Sequence, residues 1–396
     1  MPARARRGTR LSADARRILT VQAFRAFAYG LGSVLIGVTL ARRDLSGGEV
    51  GVVLFALLAG SAIALILLAR YGDRVGRRRI YRLLLVVMGV AGTVFALVSW
   101  LPALLLAAVT GTVSTEVLES GPFTTLEQAM LPRVAGSLGA PRLFATYNTA
   151  ATVAGSLGAL AAGGPTLAHT GSSHWLLVYP LAAAAALPAA LRLSPSVEEP
   201  SGQHATRAAL DRSKQDVRRL SALFALDSFG GGFVPQTFVA YLLARKYDAS
   251  PGAIGVVFFT IGLLQAISFQ LAGRLSVRIG LVRTMVFTHL PSNVLLAAVA
   301  FAPNLATAVG LLFARHLLSQ MDVPARQALV VTIVDPEERT AAAAYTNAAR
   351  YVTRPVAPLI AGAFLRAGLG IQFVLAGVLK SVYDLTFFAL YRNRGL

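Results

Sequence analysis

The sequence has no cysteine and few charged residues. None of its 396 residues is a cysteine, and Asp, Glu, Lys and Arg together make up 14% of the chain. Without cysteine there are no disulfides, thiolate metal ligands or cysteine nucleophiles. Because a soluble domain carries about 25% charged residues, most of this chain does not face water. The hydrophobic share of 55% and the mean hydropathy of +0.63 indicate a membrane protein.

The short motifs of common enzymes are also missing. The sequence has no GxxxxGK phosphate loop, no HExxH zinc motif, no histidines at metal-ligand spacing and no GxSxG nucleophile elbow. We therefore expect neither an enzyme nor an ATP-driven pump, and no metal ion or cofactor. The formal net charge of +19 does not indicate nucleic-acid binding, because the arginines occupy short gaps between apolar runs rather than one amphipathic face.

Apolar runs long enough to cross a bilayer as single helices fill the chain. They fall near residues 18–41, 49–69, 80–100, 103–122, 143–166, 174–192, 219–243, 252–272, 284–301, 304–322, 340–365 and 369–391. One long polar gap separates the sixth run from the seventh. We therefore predict an all-α membrane protein with twelve transmembrane helices in two six-helix bundles, residues 1–192 and 219–396, joined by a linker at 193–218.

Most Lys and Arg residues outside the apolar runs lie in loops on the side of the N-terminus. Such loops mark the cytoplasmic side of a membrane. We therefore expect a multi-pass protein of the cell's inner membrane, with both termini and the linker in the cytoplasm. The lipid bilayer is its expected partner, and we expect a monomer.

The two predicted bundles are related in sequence. Gly51-Val52-Val53 recurs 204 residues later as Gly255-Val256-Val257, and Gln128-Ala129 recurs 199 residues later as Gln327-Ala328. Small changes in this shift are expected from loop insertions. A long internal repeat in a hydrophobic chain is typical of secondary transporters built from two related halves.

A charged loop between the second and third runs carries the most specific signal. Residues 69–78 read Ala-Arg-Tyr-Gly-Asp-Arg-Val-Gly-Arg-Arg. This stretch resembles the Gly-x-x-x-Asp-Arg-x-Gly-Arg-Arg motif of the major facilitator superfamily, with Asp73, Arg74, Gly76 and Arg77 at matching positions. The second-half copy keeps Arg278 and Gly280, with Val277 in place of the aspartate.

The resemblance implies two bundles that rock around a central cavity, which helices 1, 4, 7 and 10 line. The motif residues would then form a cytoplasmic gate. Asp73 is expected to cap a neighbouring helix or to pair with a basic residue, and to release that contact when the cytoplasmic side opens. The alternative for the arginines is that they only fix the topology.

Charged side chains also lie inside the apolar runs, where burial is costly and usually marks function. Five of them fall in the first, fourth, seventh and tenth runs. They are Arg25, Glu116, Glu119, Asp227 and Arg315. In the repeat, Arg25 falls on Asp227 and Glu116 falls on Arg315, so each half holds one cation and one anion with the signs exchanged. We expect the pairs Arg25–Glu116 and Asp227–Arg315, or else pairs across the halves that act as an inner gate.

These charges have two interpretations. They are structural salt bridges that never contact substrate, or one carboxylate takes up a proton and releases its arginine. A nearby cation keeps an acid ionised, whereas desolvation favours its neutral form. Asp227 and Glu116 are the preferred proton carriers, with Glu119 as a third candidate.

Further charged or ionisable residues lie in the ninth, eleventh and twelfth apolar runs. Arg350 and Arg354 either receive an anionic substrate or pair with Asp335, Glu337 or Glu338. Lys380 and Asp384, four residues apart, are expected to pair with each other, and His289 is expected to be structural.

We conclude that the sequence favours a secondary transporter that moves a small organic solute by alternating access. The resemblance favours outward transport, and the carboxylates inside the apolar runs favour proton coupling. One alternative is a proton-independent exchange or facilitative carrier for an anionic metabolite, which would bind it through Arg25, Arg315, Arg350 and Arg354. The other alternative is a non-transporting membrane sensor or assembly partner.

Overall fold

The computed structural model describes residues 11–43, 45–114, 121–134, 140–198, 210–335, 338–365 and 368–393. Within these ranges the fold is all-α, as predicted, with seventeen α-helices. Five of the predicted spans are each built from two consecutive helices, so the seventeen helices make up the twelve spans.

The first half contains eight helices. They are α1 (Ala13–Arg42), α2 (Gly47–Val75), α3 (Arg77–Leu97), α4 (Leu101–Val109), α5 (Pro122–Met130), α6 (Ala140–Ala161), α7 (Gly164–Leu167) and α8 (Val178–Leu191). Ser12 begins α1, because its Oγ accepts a hydrogen bond of 3.1 Å from the backbone N–H of Ala15. Short 3₁₀ turns at Leu131–Val134, His174–Leu177 and Pro195–Val197 complete this half and start the linker.

The second half contains nine helices. They are α9 (Lys214–Gly232), α10 (Gln236–Tyr247), α11 (Pro251–Ile279), α12 (Leu281–Val299), α13 (Leu305–Ser319), α14 (Asp322–Ile333), α15 (Arg339–Thr353), α16 (Val356–Phe364) and α17 (Ile371–Tyr391). Side-chain caps start two of them: Ser250 Oγ accepts from the Ala253 N–H at 3.2 Å, and Asn304 Oδ1 accepts from the Thr307 N–H at 2.9 Å.

The fourth predicted span is not a continuous helix. Helix α4 ends at Val109, the chain turns at Gly111 with φ of 67°, and α5 begins at Pro122. The prediction of one helix over 103–122 is therefore wrong. Glu116 and Glu119 fall in the gap at 115–120, outside the described residues. The tenth span breaks at the corresponding place, between α13 and α14, and discontinuous helices at matching places in two halves are typical of transporter binding sites.

Six described helices are long and apolar enough to cross a bilayer. They are Ala13–Arg42, Gly47–Leu68, Arg77–Leu97, His174–Leu191, Pro251–Ile279 and Ile371–Tyr391. Of the other six predicted spans, five are the spans built from two helices. In these, neither helix alone is both long enough and apolar enough to cross a bilayer. Irregular backbone at membrane depth is tolerated where it is buried in protein or lines a cavity.

Each half is held together by close contacts between helices. A Cβ added to Gly30 of α1 would lie 1.9 Å from the Gly155 carbonyl oxygen of α6, and one added to Gly158 would lie 1.9 Å from that of Phe27. Only a residue without a side chain permits this approach of the two backbones. Helices α1 and α6 therefore form one rigid pair.

The two halves contact each other at one end, which we call the far end. The far end holds the connection between α1 and α2. The opposite end, which we call the near end, holds the start of α1. There the Asp14 carboxylate accepts a hydrogen bond from the Ser194 N–H. A Cβ on Gly51 of α2 would lie 2.7 Å from the Pro358 carbonyl oxygen, and one on Gly255 of α11 would lie 2.3 Å from that of Ala159. The far end of the interface is therefore closely packed.

Candidate functional site

A cavity of about 210 Å³ lies between the two halves. Helices α1 and α6 of the first half supply a wall of small and hydroxylated residues: Gly30, Ser33, Thr152, Gly155, Ser156 and Ala159. The second half supplies the charged wall, with the cations Arg315, Arg326, Arg350, Arg354 and Lys380 and the carboxylates Asp227 and Asp322. The close contacts at the far end cover the cavity on that side.

Asp227 of α9 is the most connected carboxylate of this wall. Its side chain is buried, and Lys380 Nζ of α17 donates to Oδ1 at 2.5 Å. Arg326 of α14 donates to Oδ2 at 3.4 Å and also to Asp322 at 3.3 Å. The expected pair with Arg315 does not form, because Lys380 and Arg326 occupy both oxygens of Asp227.

His289 of α12 links Asp227 to a second aspartate. Its Nδ1 lies 2.9 Å from Asp384 Oδ1, and its Nε2 lies 3.8 Å from Asp227 Oδ1. Asn293 donates to Asp384 Oδ2 at 2.8 Å. The expected Lys380–Asp384 pair is therefore wrong, since the two side chains pair with Asp227 and His289. His289 also lines the cavity, so it belongs to this cluster rather than to an isolated structural position.

Arg315 of α13 also lines the cavity, next to the break between α13 and α14. Its guanidinium donates to His316 Nε2 at 3.0 Å. His316 Nδ1 lies 2.7 Å from the Leu312 carbonyl oxygen. A carbonyl only accepts, so Nδ1 carries the proton, and the arginine only donates, so Nε2 holds the lone pair. The partner of Arg315 is therefore a neutral imidazole.

Arg350 and Arg354 reach the same cavity from the break between α15 and α16. Two carboxylates suggested as their partners have other contacts. Glu338 accepts hydrogen bonds from the backbone N–H groups of Asp211, Arg212 and Ser213, and Asp335 lies 3.8 Å from Arg212. The third, Glu337, lies outside the described residues. Both arginines line the cavity, and their binding of an anionic substrate stays a prediction.

Arg25 does not line this cavity. It is 2% exposed, and its Nη2 donates at 2.7 Å to Glu127 of α5, which is fully buried. Tyr81 and Tyr147 also donate to the Glu127 carboxylate, at 2.7 and 2.5 Å. The described partner of Arg25 is thus Glu127, whereas the expected partner, Glu116, lies outside the described residues. Held by Glu127, Arg25 does not reach the described cavity lining.

The repeat explains this correction. Glu127 precedes Gln128, which falls on Gln327, so its counterpart 199 residues later is Arg326. The pairs Arg25–Glu127 and Asp227–Arg326 therefore occupy equivalent places in the two halves with their signs exchanged. The expected sign exchange is present, but its second partners lie in α5 and α14, beyond the breaks. The register of Gln128 on Gln327 is the sequence signal from which these two partners could have been found.

The charged loop after α2 forms a turn at Gly76, with φ of 95°, and the equivalent Gly280 has φ of 87°. Glu198 from the start of the linker accepts hydrogen bonds from the N–H groups of Arg77 and Arg78, at 2.6 and 3.1 Å. Although partial burial acts in the opposite direction, these hydrogen bonds lower the pKa of the Glu198 carboxyl. Glu198 thus caps α3 with a negative charge.

The structure describes only some of the other side chains of the expected gate. The side chains of Asp73 and Arg74 lie outside its described part. Arg278 is exposed at the end of α11. The contact expected for Asp73 therefore stays a prediction. Glu198 makes a capping contact of the same kind at α3, and no motif in the polar linker indicated it.

Comparison with known proteins identifies the class of this fold. The family model of the Major Facilitator Superfamily matches residues 18–242 and 220–394. An uncharacterized membrane protein of Saccharomyces cerevisiae is 26% identical over 403 residues, covering 91% of this chain and 90% of the yeast protein.

Three solved structures show the same architecture. The nucleoside transporter NupG is 13% identical with a TM-score of 0.74, covering 96% of this chain and 99% of its own. A D-xylose–proton symporter is 16% identical with a TM-score of 0.72, covering 94% and 97%. A bacterial homologue of the lysosomal transporter Spinster, in an inward-facing conformation, is 16% identical with a TM-score of 0.69, covering 96% and 97%.

These similarities define a membrane protein with the fold of secondary transporters. The chain belongs to the Major Facilitator Superfamily. The identities to the solved structures are too low to transfer a substrate, so the substrate must be argued from the cavity itself.

Proposed function

We propose that this chain is a proton-coupled secondary transporter that moves a small organic solute by alternating access through the central cavity. The observation that carries the proposal is the buried cluster around Asp227. Lys380, Arg326 and His289 join helices α9, α17, α14 and α12 through one carboxylate. A single proton on that carboxylate would weaken all three contacts at once.

The coupling follows from the cost of buried charge. While Asp227 is ionised, it compensates the cations of α14 and α17, and the second half is held in one arrangement. Protonation removes this attraction: buried Lys380 loses its carboxylate partner and Arg326 keeps only Asp322, which is unfavourable at low dielectric. The helices then rearrange, and the halves rock to expose the cavity to the other side.

We further propose that the protein lies in the cytoplasmic membrane as a monomer, with both termini in the cytoplasm, and that it exports its solute. The Lys and Arg distribution along the sequence supports the orientation. The family resemblance supports the direction. The close contacts at the far end, opposite the N-terminus, are consistent with a cavity that opens toward the cytoplasm.

The test is solute-driven proton flux in liposomes that contain the purified protein. We expect Asp227→Asn to abolish flux driven by a pH gradient and to retain exchange of solute. Asp248→Asn is the matched control: Asp248 is exposed, and asparagine tolerates its left-handed backbone, with φ of 50°. Flux that stays coupled to the pH gradient in Asp227→Asn would contradict the proposed role of Asp227.

A second candidate is a proton-independent carrier for an anionic metabolite. It is favoured by the excess of arginine and lysine over aspartate in the cavity wall. Under this alternative, an imposed pH gradient drives no uptake in the parent protein, while exchange of one anion for another proceeds.

A further inference from the structure

The walls of the central cavity differ in charge. The first half contributes no charged side chain to the described lining, whereas the second half contributes five Arg or Lys side chains and two Asp side chains. The described lining therefore has an excess of three positive charges when its histidines are neutral. An excess of one sign inside a low-dielectric cleft attracts ligands of the other sign.

One arginine of the described wall, Arg315, has no aspartate partner there. Lys380 and Arg326 are held by Asp227 and Asp322. Arg315 has no carboxylate within 4.0 Å in the described part of the chain, and its only hydrogen-bond acceptor there is the neutral His316. The Arg315 Nε is buried without an acceptor. A guanidinium in this position has donors directed to oxygens that the described residues do not provide.

A helix start faces the same space. Helix α10, twelve residues long, begins at Gln236 after Pro235, without a capping side chain, and Gln236 lines the cavity. The backbone N–H groups of the first turn therefore add partial positive charge on the side of Arg315. Both features favour a ligand with negatively charged oxygen atoms.

The opposite wall constrains the rest of the ligand. Ser33 and Thr152 donate their hydroxyl protons to the Gly30 and Asn148 carbonyls. Their oxygens retain lone pairs that accept hydrogen bonds from hydroxyl groups. The cavity volume of about 210 Å³ is below the range of about 300–1,000 Å³ for sites that take drug-sized ligands. The wall therefore suits a small hydroxylated body.

We propose that the transported solute is a small hydroxylated organic anion, a carboxylate or phosphate ester, whose acidic group binds Arg315 and whose hydroxyl groups contact Ser33 and Thr152. The inference rests on the proposed transport through this cavity, but it holds for proton-coupled and proton-independent transport alike. Arg350 and Arg354 lie in the same wall and stabilise the anion through their charge.

The test compares matched pairs of anionic and neutral probes by thermal unfolding of the purified full chain. The anionic probes are gluconate, glycerate and glycerol 3-phosphate, and the neutral ones are glucitol and glycerol. Inorganic phosphate is a further probe that lacks the carbon body, and sodium chloride at equal ionic strength controls for screening. We expect anionic probes to raise the unfolding temperature by mass action, and neutral ones to leave it unchanged. If glycerol 3-phosphate raises the unfolding temperature and glycerate does not, the solute class is phosphate esters rather than carboxylates.

The variants assign the binding to Arg315. We expect Arg315→Gln to bind the best anionic probe about 10- to 100-fold more weakly, the range for a hydrogen bond to a charged group. Arg245→Gln, at an exposed arginine of α10, should bind it like the parent. The proposal is overturned if no anionic probe stabilises the parent, or if Arg315→Gln and the parent respond equally. Anion binding without solute-driven proton flux would instead refute the proton coupling and retain this inference.

Discussion

The contact that closes the far end of the cavity is set by glycine. A Cβ on Gly51 would lie 2.7 Å from the Pro358 carbonyl oxygen and 2.9 Å from the Gly362 Cα, both backbone atoms that cannot rotate away. We therefore expect Gly51→Val to force the far ends of α2 and α16 apart. Overpacking of this kind costs about 1–3 kcal/mol. Since 1.4 kcal/mol is a tenfold change in an equilibrium constant, the equilibrium between the arrangements with the far end closed and open should shift about 5- to 150-fold toward the open one.

Labelling of a single cysteine measures this shift. The chain contains no cysteine, so Thr152→Cys places one thiol in the cavity wall without background. A membrane-impermeant maleimide is added to sealed vesicles of either orientation. We expect Gly51→Val to increase labelling from the side opposite the N-terminus and to reduce it from the other side.

Two glycines provide the controls. A Cβ on Gly48, in the same helix, meets only the Ser46 hydroxyl at 3.9 Å, so Gly48→Val should label like the parent. Gly30 contacts Gly155 within one half, so Gly30→Val should lower the yield of folded protein rather than change the side of labelling. If Gly51→Val and Gly48→Val label alike, the contact at Gly51 does not close the cavity and the reasoning is wrong.

Three further outcomes follow from the buried and capping carboxylates. Glu127→Ala leaves Arg25 buried without its carboxylate, so it should lose about 3–5 kcal/mol of stability, and Arg25→Met in the same chain should restore part of the loss in unfolding temperature. Tyr147→Phe removes one hydroxyl donor to the Glu127 carboxylate and should cost about 1.5–3 kcal/mol, measured the same way, without loss of transport. Backbone N–H groups, that of Asp211 foremost, lower the pKa of Glu338 from 4.5 to about 2. The ionised Glu338 carboxylate therefore stabilises the fold fully above pH 4.5, and this contribution is lost as the pH falls toward 2. The difference in unfolding temperature between the parent and Glu338→Gln should narrow over that range.

The architecture was predictable because it depends on length and repetition. Apolar runs of bilayer length and a repeat of about 200 residues define twelve spans in two sets. The break in the fourth span was not predictable, since the run at 103–122 has bilayer length and no local rule reports that α4 ends at Val109 and α5 starts at Pro122. A glycine such as Gly111, with φ of 67°, is visible in the sequence but its backbone conformation is not.

The ion pairs were predicted in kind but not in partner. Spacing along one helix suggested Lys380 with Asp384, yet Lys380 reaches Asp227 on α9 and Asp384 reaches His289 on α12. Such choices depend on how helices far apart in sequence pack together, and no local rule ranks them. Glu127 was missed because it lies beyond the apolar run, in a stretch where a charged residue is expected to be exposed to water.

The two equivalent ion pairs have different surroundings, and this difference explains why one half carries the site. Tyr81 and Tyr147 saturate Glu127 with hydroxyl donors, so the first pair is complete and closed. The equivalents of these tyrosines are Met285, which has no donor, and Thr346, whose hydroxyl bonds the Ala342 carbonyl within its own helix. Asp227 therefore depends on cations rather than on neutral hydroxyls. Cations lose their attraction when a carboxylate takes up a proton, whereas tyrosines remain acceptable partners of a neutral acid. The second copy of the pair thus lacks the two hydroxyl donors of the first, and this is the difference that the proposed response of Asp227 to protons requires.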